Sequence, residues 1–114
     1  MRNKRASIRK QPNESIAIID INTEQTLGYL ANISTGGLML IGPISTTPGT
    51  LFQLQMPLPT PMHNANTLEF GAESLWCLQA KDTSNYWTGF QIIDISASTA
   101  ESIETLISDW QLFQ

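Results

Sequence analysis

The 114-residue sequence contains a single cysteine and a single histidine. Because Cys77 has no second cysteine to pair with, no disulfide can form within the chain, and a reducing cytoplasm is the expected setting. His63 stands in a segment rich in proline and asparagine, with no Cys or Asp at the spacing of a metal site. The carboxylates are scattered and show no paired catalytic spacing. We therefore predict no metal site, no cofactor and no enzymatic activity.

Long apolar runs are also missing. No stretch approaches the roughly 20 apolar residues that a membrane-spanning helix needs. A basic N-terminus followed by the isoleucine-rich stretch at 15–21 is reminiscent of a signal peptide, but Asp20 interrupts the run and no clear small-residue cleavage site follows. With 41% hydrophobic residues, the sequence is typical of one globular domain with a modest core. We expect a soluble, cytoplasmic monomer.

Basic residues are almost absent beyond position 10. Five of the six lie in the first ten positions, and the sixth is Lys81. Residues 11–114 therefore carry one base against ten carboxylates, a formal charge of −9. An acidic body of this kind disfavours binding to duplex DNA, because it repels phosphates. A basic arm on an acidic body is typical of a segment that binds an anion.

The chain after the arm predicts six strands. The segments with strand patterns are 15–23, 25–33, 38–41, 51–56, 67–80 and 86–95. Gly71 is placed to bend the fifth strand or to host a bulge. Residues 57–66 contain three prolines, so we predict a loop there.

The C-terminus changes to a helical period. Ser98 and Glu101 have the spacing of a capping box. Five apolar side chains then recur at helical spacing: Ile103, Leu106, Ile107, Trp110 and Phe113. We therefore predict a small antiparallel barrel (residues 15–114) with a helix at 98–113 packed against it, preceded by a flexible basic arm at 1–14.

Two short motifs carry the polar chemistry. Arg5 and Arg9 lie four residues apart in the arm, and guanidinium groups can bind phosphate or the O6/N7 edge of guanine in a bidentate manner. A solvated basic tail is the alternative. Asn32 and Ser34 are two residues apart at a strand end, so they point to the same side, and Gly37 lets a ligand approach the backbone. A turn that satisfies its own backbone is the alternative here.

Together the two motifs resemble the signature of the PilZ domain family, bacterial six-stranded barrels that bind the second messenger cyclic di-GMP. The signature joins Arg-x-x-x-Arg in an N-terminal loop with Asp or Asn, then x-Ser-x-x-Gly, at a strand end. Glu73-Ser-Leu-Trp76 and Thr88-Gly-Phe-Gln-Ile92 are similar to the last two strands of the family. The resemblance covers nearly the whole chain.

The resemblance implies a ligand site. Arg5 and Arg9 are expected to bind phosphate and the guanine edge, with Lys4 as a further basic contact. Asn32 and Ser34 are expected to hydrogen-bond guanine or phosphate, while Gly36 and Gly37 match the family's turn. Trp76 is expected either beside a base or in the core. Asn32 departs from the commoner Asp and lacks its charge, which lowers the expected affinity.

Three functions follow from these patterns. The first is a cyclic di-GMP receptor without enzymatic activity, in which the arm closes over the ligand and a protein effector senses the change. The second is an interaction adaptor of the same fold with weak or no nucleotide binding. The third, a barrel that binds single-stranded nucleic acid, ranks last because the aromatic residues are not accompanied by bases outside the arm.

Overall fold

The strands of the chain close into a six-stranded antiparallel barrel, as predicted. A computed structural model describes residues 12, 14–62, 64–81 and 83–111. The strands are β1 (Ala17–Asp20), β2 (Gln25–Ile33), β3 (Gly37–Gly42), β4 (Leu51–Met62), β5 (Ala65–Gln79) and β6 (Tyr86–Asp94), and the helix is α1 (Ala97–Gln111). The order around the barrel is β1-β2-β3-β6-β5-β4, and β4 pairs with β1 to close it.

Alternation places the core inside the barrel. Leu54 and Met56 of β4, Leu38 and Leu40 of β3 and Phe90 of β6 are at most 2% exposed. Their chain neighbours point outward, and Met39, Gln53, Gln55 and Gln91 among them are half-buried or exposed, as the two-residue period of a strand requires. Within this core the rings of Phe52 and Phe90 meet edge to face, with centroids 5.6 Å apart.

The proline-rich segment is a strand, so the predicted loop at 57–66 is wrong. β4 continues to Met62 and reverses through a short turn into β5, with Asn64 at φ 65°. Prolines 57, 59 and 61 occupy every second position, so the sites of their missing N–H groups lie on one side of the strand. Among the described residues, β1 pairs with β4 at residues 54 and 55, and no other described strand pairs with that edge of β4 beyond them. Proline is compatible with such an edge.

The helix begins earlier than predicted. Its bounds are Ala97–Gln111, and the hydroxyl of Ser96 accepts a hydrogen bond from the Thr99 N–H at 3.1 Å. Ser96 is therefore the N-cap, and the predicted capping box starting at Ser98 is wrong, because Ser96 provides a cap as soon as β6 ends. The predicted apolar face is confirmed at Ile103, Leu106 and Trp110, all at most 3% exposed, while Phe113 lies outside the described residues.

Bulges adjust the register of the longer strands. The expected irregularity at Gly71 is confirmed by a register shift between Gly71 and Ala72. Further shifts lie between Leu30 and Asn32 on β2 and between Ser74 and Trp76 on β5. The shifts at Leu30/Asn32 and Ser74/Trp76 determine which side chains point outward at the two ends of the candidate site.

Candidate functional site

The turn between β2 and β3 is organised by Ser34. Its N–H donates to the Gly37 carbonyl oxygen at 2.8 Å, and its hydroxyl accepts from the Gly36 N–H at 3.2 Å. The Gly36 carbonyl accepts from the Ile92 N–H at 2.9 Å, which ties the turn to β6. Ser34 is only 2% exposed. The local turn named as the alternative for this motif is therefore present, and its backbone is held rigidly at one end of the barrel surface.

Neither glycine of this turn uses the left-handed backbone. Among the described residues, positive φ occurs at Gly49, Glu24 and Asn64. Gly36 and Gly37 therefore contribute to the turn by their small size and not by an unusual backbone conformation.

Asn32 begins a row of outward side chains that crosses four strands. Ile33 points into the core and is fully buried, so Asn32 lies on the outer face. Asn32 pairs with Met39 of β3, Met39 pairs with Gly89 of β6, and Gly89 pairs with Trp76 of β5. Paired residues share a face of the sheet. We call Asn32, Met39, Gly89 and Trp76 the site row.

Trp76 lies on the surface and covers Gly89. Its side chain is 37% exposed, so the core position considered from the sequence is excluded. A Cβ placed on Gly89 would overlap the Nε1 and Cε2 atoms of the indole. The indole therefore lies over the β6 backbone at Gly89 and is partly exposed.

A second row, next to the site row, is apolar and also points outward. Tyr29 pairs with Ile41, Ile41 with Trp87, and Trp87 with Leu78. Tyr29 is 48%, Trp87 37% and Leu78 65% exposed. We call these four residues the apolar row.

A third row lies on the other side of the site row. Gly37 pairs with Gln91 of β6, and Gln91 pairs with Glu73 of β5. We call these three residues the polar row. Met39, Gln91 and Glu73 could not be predicted from the sequence as neighbours of the motif, because only the strand register brings them there.

The basic candidates Lys4, Arg5 and Arg9 lie outside the described residues. The described residue nearest to them in the sequence is Pro12. Pro12 lines a groove of about 420 Å³ together with Tyr29, Ala31 and Ile41. Pro12 therefore lies beside the outer face of β2 and β3, at the end of the apolar row formed by Tyr29 and Ile41.

Cys77 follows Trp76 and points away from the site row. Its Sγ accepts hydrogen bonds from the Thr46 N–H and the Thr88 hydroxyl, each at 3.5 Å. Burial raises the pKa of the thiol, but hydrogen bonds from Thr88, the Thr46 backbone and Ser45 outweigh it, so the pKa lies below the ordinary 9.0.

The described residues contain neither a cluster of metal-ligating side chains nor a long apolar helix. No group of three or more His, Cys, Asp or Glu side chains among them is arranged to hold a metal ion. Within the same part of the chain, no helix has the length and apolar character needed to cross a membrane.

Solved structures share this fold at low sequence identity. The inhibitor of motility MotI/DgrA from Bacillus subtilis superposes with a TM-score of 0.77 and 17% identity over 98% of this chain and 53% of its own. MrkH of K. pneumonia in its apo state superposes with a TM-score of 0.75 and 13% sequence identity, over 98% of this chain and 53% of its own. The PilZ domain of Escherichia coli YcgR with c-di-GMP superposes with a TM-score of 0.69 and 13% sequence identity, over 97% of this chain and 94% of its own.

The lengths of these chains differ from that of the present one. The chain spans about half of MotI/DgrA and of MrkH, but 94% of the isolated YcgR domain. No curated protein matches the sequence. The PilZ domain model matches residues 3–109, which is nearly the whole chain and includes both sequence motifs. The chain belongs to the PilZ domain family.

Proposed function

We propose that the chain is a receptor for cyclic di-GMP, acting in the cytoplasm and not as an enzyme. The observation that carries the proposal is the site row, which joins the Asn32-x-Ser34-x-x-Gly37 turn at one end to a partly exposed indole at the other. Neighbouring strands are about 4.8 Å apart, so three spacings give a platform about 14 Å long. The fold it shares with the YcgR domain, whose structure contains c-di-GMP, supports the same ligand.

The two ends of the platform suit different parts of a cyclic dinucleotide. A purine can stack on the exposed face of Trp76, because aromatic platforms bind bases through their π faces. At the other end Asn32 provides an amide donor and an acceptor. Gly36 and Gly37 have no side chains, so a ligand can approach the backbone there. Ser34 supports this end by holding the turn.

The arm supplies the positive charge. Residues 11–114 carry one base against ten carboxylates, so the barrel alone offers almost no cation for two phosphates. Lys4, Arg5 and Arg9 are the proposed phosphate and guanine contacts. Pro12, which follows them in the sequence, lies beside Tyr29 and Ile41, the apolar-row neighbours of the site row on β2 and β3. Ordering the arm over the ligand costs conformational entropy, so binding and arm position are coupled.

The proposed signal is this change in the arm. With the ligand bound, the arm closes over the site row and presents a new surface to a protein effector. Amide hydrogen exchange of residues 1–12 measures the step directly. We expect slower exchange with saturating cyclic di-GMP; unchanged exchange would contradict arm closure while leaving binding intact.

Calorimetry with the full chain tests binding itself. We expect cyclic di-GMP to bind and a short single-stranded oligonucleotide not to bind. Arg5→Ala and Arg9→Ala should each weaken binding by about 1–3 kcal/mol, the range for a good bidentate contact. Trp76→Ala should cost about 1–3 kcal/mol, the range for a stacked base. Trp87→Ala is the matched control, since Trp87 is equally exposed, at 37%, but belongs to the apolar row.

The apolar row supports a second candidate function. Tyr29, Trp87 and Leu78 form an exposed apolar strip, a feature more typical of a protein interface than of a free surface. An adaptor of the same fold with weak or no nucleotide binding would use this strip. Calorimetry that shows no heat with any nucleotide would favour the adaptor over the receptor.

A further inference from the structure

Building on the proposed function, we propose that Glu73 accepts hydrogen bonds from a guanine stacked on Trp76 and thereby makes the site select guanine over adenine. The motif at Asn32 cannot provide a charged acceptor, because the side chain is a neutral amide. Among the residues of the three rows described above, Glu73 of the polar row carries the one carboxylate.

The strand register brings Glu73 to the same face as Trp76. Ser74 points inward and is fully buried, and the register shift between Ser74 and Trp76 takes up Leu75 as the extra residue. Glu73 and Trp76 therefore both point outward, in neighbouring rows. Without that bulge, residues 73 and 76 would point to opposite faces of the strand.

The position of the indole determines where a stacked base lies. Because the indole covers Gly89, a base on its outer face lies above Gly89. The next outward residue along β6 is Gln91, and Gln91 is the cross-strand partner of Glu73. One edge of the base therefore faces the pair formed by Gln91 and Glu73.

A carboxylate at this edge distinguishes the two purines. An ionised carboxylate only accepts hydrogen bonds. The Watson–Crick edge of guanine offers two parallel donors, N1–H and an N2–H, which match its two oxygens. Adenine presents an unprotonated N1 there, so its lone pair would face the carboxylate. Charge-assisted bonds of this type are about twice as strong as neutral ones.

The same carboxylate orients the ligand. It repels phosphate, so the phosphates are directed away from the polar row and toward the arm. Glu73 is half-buried, and within the described part of the chain its carboxylate has no hydrogen bond or ion pair. The group is thus partly shielded from water and open to a ligand.

The test compares Glu73→Gln with Glu69→Gln by calorimetry, using cyclic di-GMP and cyclic di-AMP. Glu69 is an outward carboxylate on the same strand, but it pairs with Gln55 of β4 and lies outside the three rows. We expect Glu73→Gln to reduce the preference for cyclic di-GMP by about 5- to 150-fold, the equivalent of losing a good bidentate pair. Glu69→Gln should leave the preference unchanged.

A ligand variant gives the same test without a mutation. Cyclic di-inosine monophosphate lacks the N2 amine, so wild-type protein should bind it more weakly than cyclic di-GMP, and this difference should shrink in Glu73→Gln. A wild-type preference retained by folded Glu73→Gln, or equal binding of the guanine and inosine ligands by wild type, would overturn the role of Glu73 while leaving the receptor in place. Wild-type protein that binds neither cyclic di-GMP nor cyclic di-AMP would overturn both proposals.

Discussion

The indole of Trp76 on β5 lies across the backbone of Gly89 on β6 and occupies the space that a side chain at position 89 would fill. Glycine is therefore required at position 89 by its neighbour and not by its own backbone angles, since its φ is not positive.

A substitution at Gly89 tests this relationship. Gly89→Ala should displace the indole and destabilise the fold by about 1–3 kcal/mol, the range for overpacking. In a Trp76→Ala background, Gly89→Ala should not lower the free energy of unfolding, because the overlapping ring is absent. Chemical denaturation of the four proteins gives the coupling free energy. Equal costs of Gly89→Ala in both backgrounds would show that the indole does not constrain position 89.

Most of the strands were predictable because the sequence displays either an apolar alternation or a short apolar run directly. Leu54 and Met56 alternate with glutamines, and Leu38 and Leu40 lie in a short apolar run. The terminal helix was predictable for the same reason, from the spacing of Ile103, Leu106 and Trp110. Such patterns report which face is buried, and both the barrel and the helix depend mainly on that.

The site was less predictable because it depends on pairing between distant strands. Asn32 and Trp76 are 44 positions apart in the sequence, and only the register of β2, β3, β6 and β5 places them in one row. Two bulges shift that register, and a bulge leaves little trace in a single sequence. The prolines of β4 led to the wrong prediction of a loop for a related reason. Whether a strand tolerates proline depends on whether its edge is paired with another strand, which the sequence does not show.

The position of the helix cap gives a second prediction. Ser96→Ala should destabilise the protein by about 0.5–2 kcal/mol, because the Thr99 N–H loses its acceptor. Ser98→Ala is the matched control and should change the free energy of unfolding little. Thermal or urea denaturation of the two variants measures the difference. A larger loss in Ser98→Ala would restore the capping box that the sequence indicated.

The environment of Cys77 gives a pH-dependent prediction. Its pKa lies below 9.0 because hydrogen bonds to the thiolate outweigh burial. Thiolate absorbance at 240 nm, with Cys77→Ala as the blank, should therefore titrate below the value for an unfolded chain. Thr88→Val removes the strongest of these donors and should raise the pKa.

The sign of the linked stability follows from the same shift. A lowered pKa in the folded state means that the thiolate favours folding, so the contribution is fully present above the unfolded pKa and is lost as the pH falls through the folded pKa. The unfolding free energy of wild type relative to Cys77→Ala should thus increase as the pH rises toward 9.0. A difference that is flat or decreases over this range would contradict the hydrogen-bonded thiolate.

The amide at position 32 gives the last prediction, which depends on the proposed receptor function. Asn32→Asp places a charged acceptor at the turn end of the site row, where the proposed receptor brings the cations of the arm and the N–H groups of a guanine. Hydrogen bonds to a charged group contribute about 1 kcal/mol more than neutral ones, so binding of cyclic di-GMP should tighten by about 5-fold. Cyclic di-AMP is the internal control, because adenine has no N1–H to donate, and its binding should not improve. Calorimetry at two salt concentrations measures both ligands. Weaker binding of cyclic di-GMP by Asn32→Asp would show that position 32 faces a phosphate, since a carboxylate there would repel it.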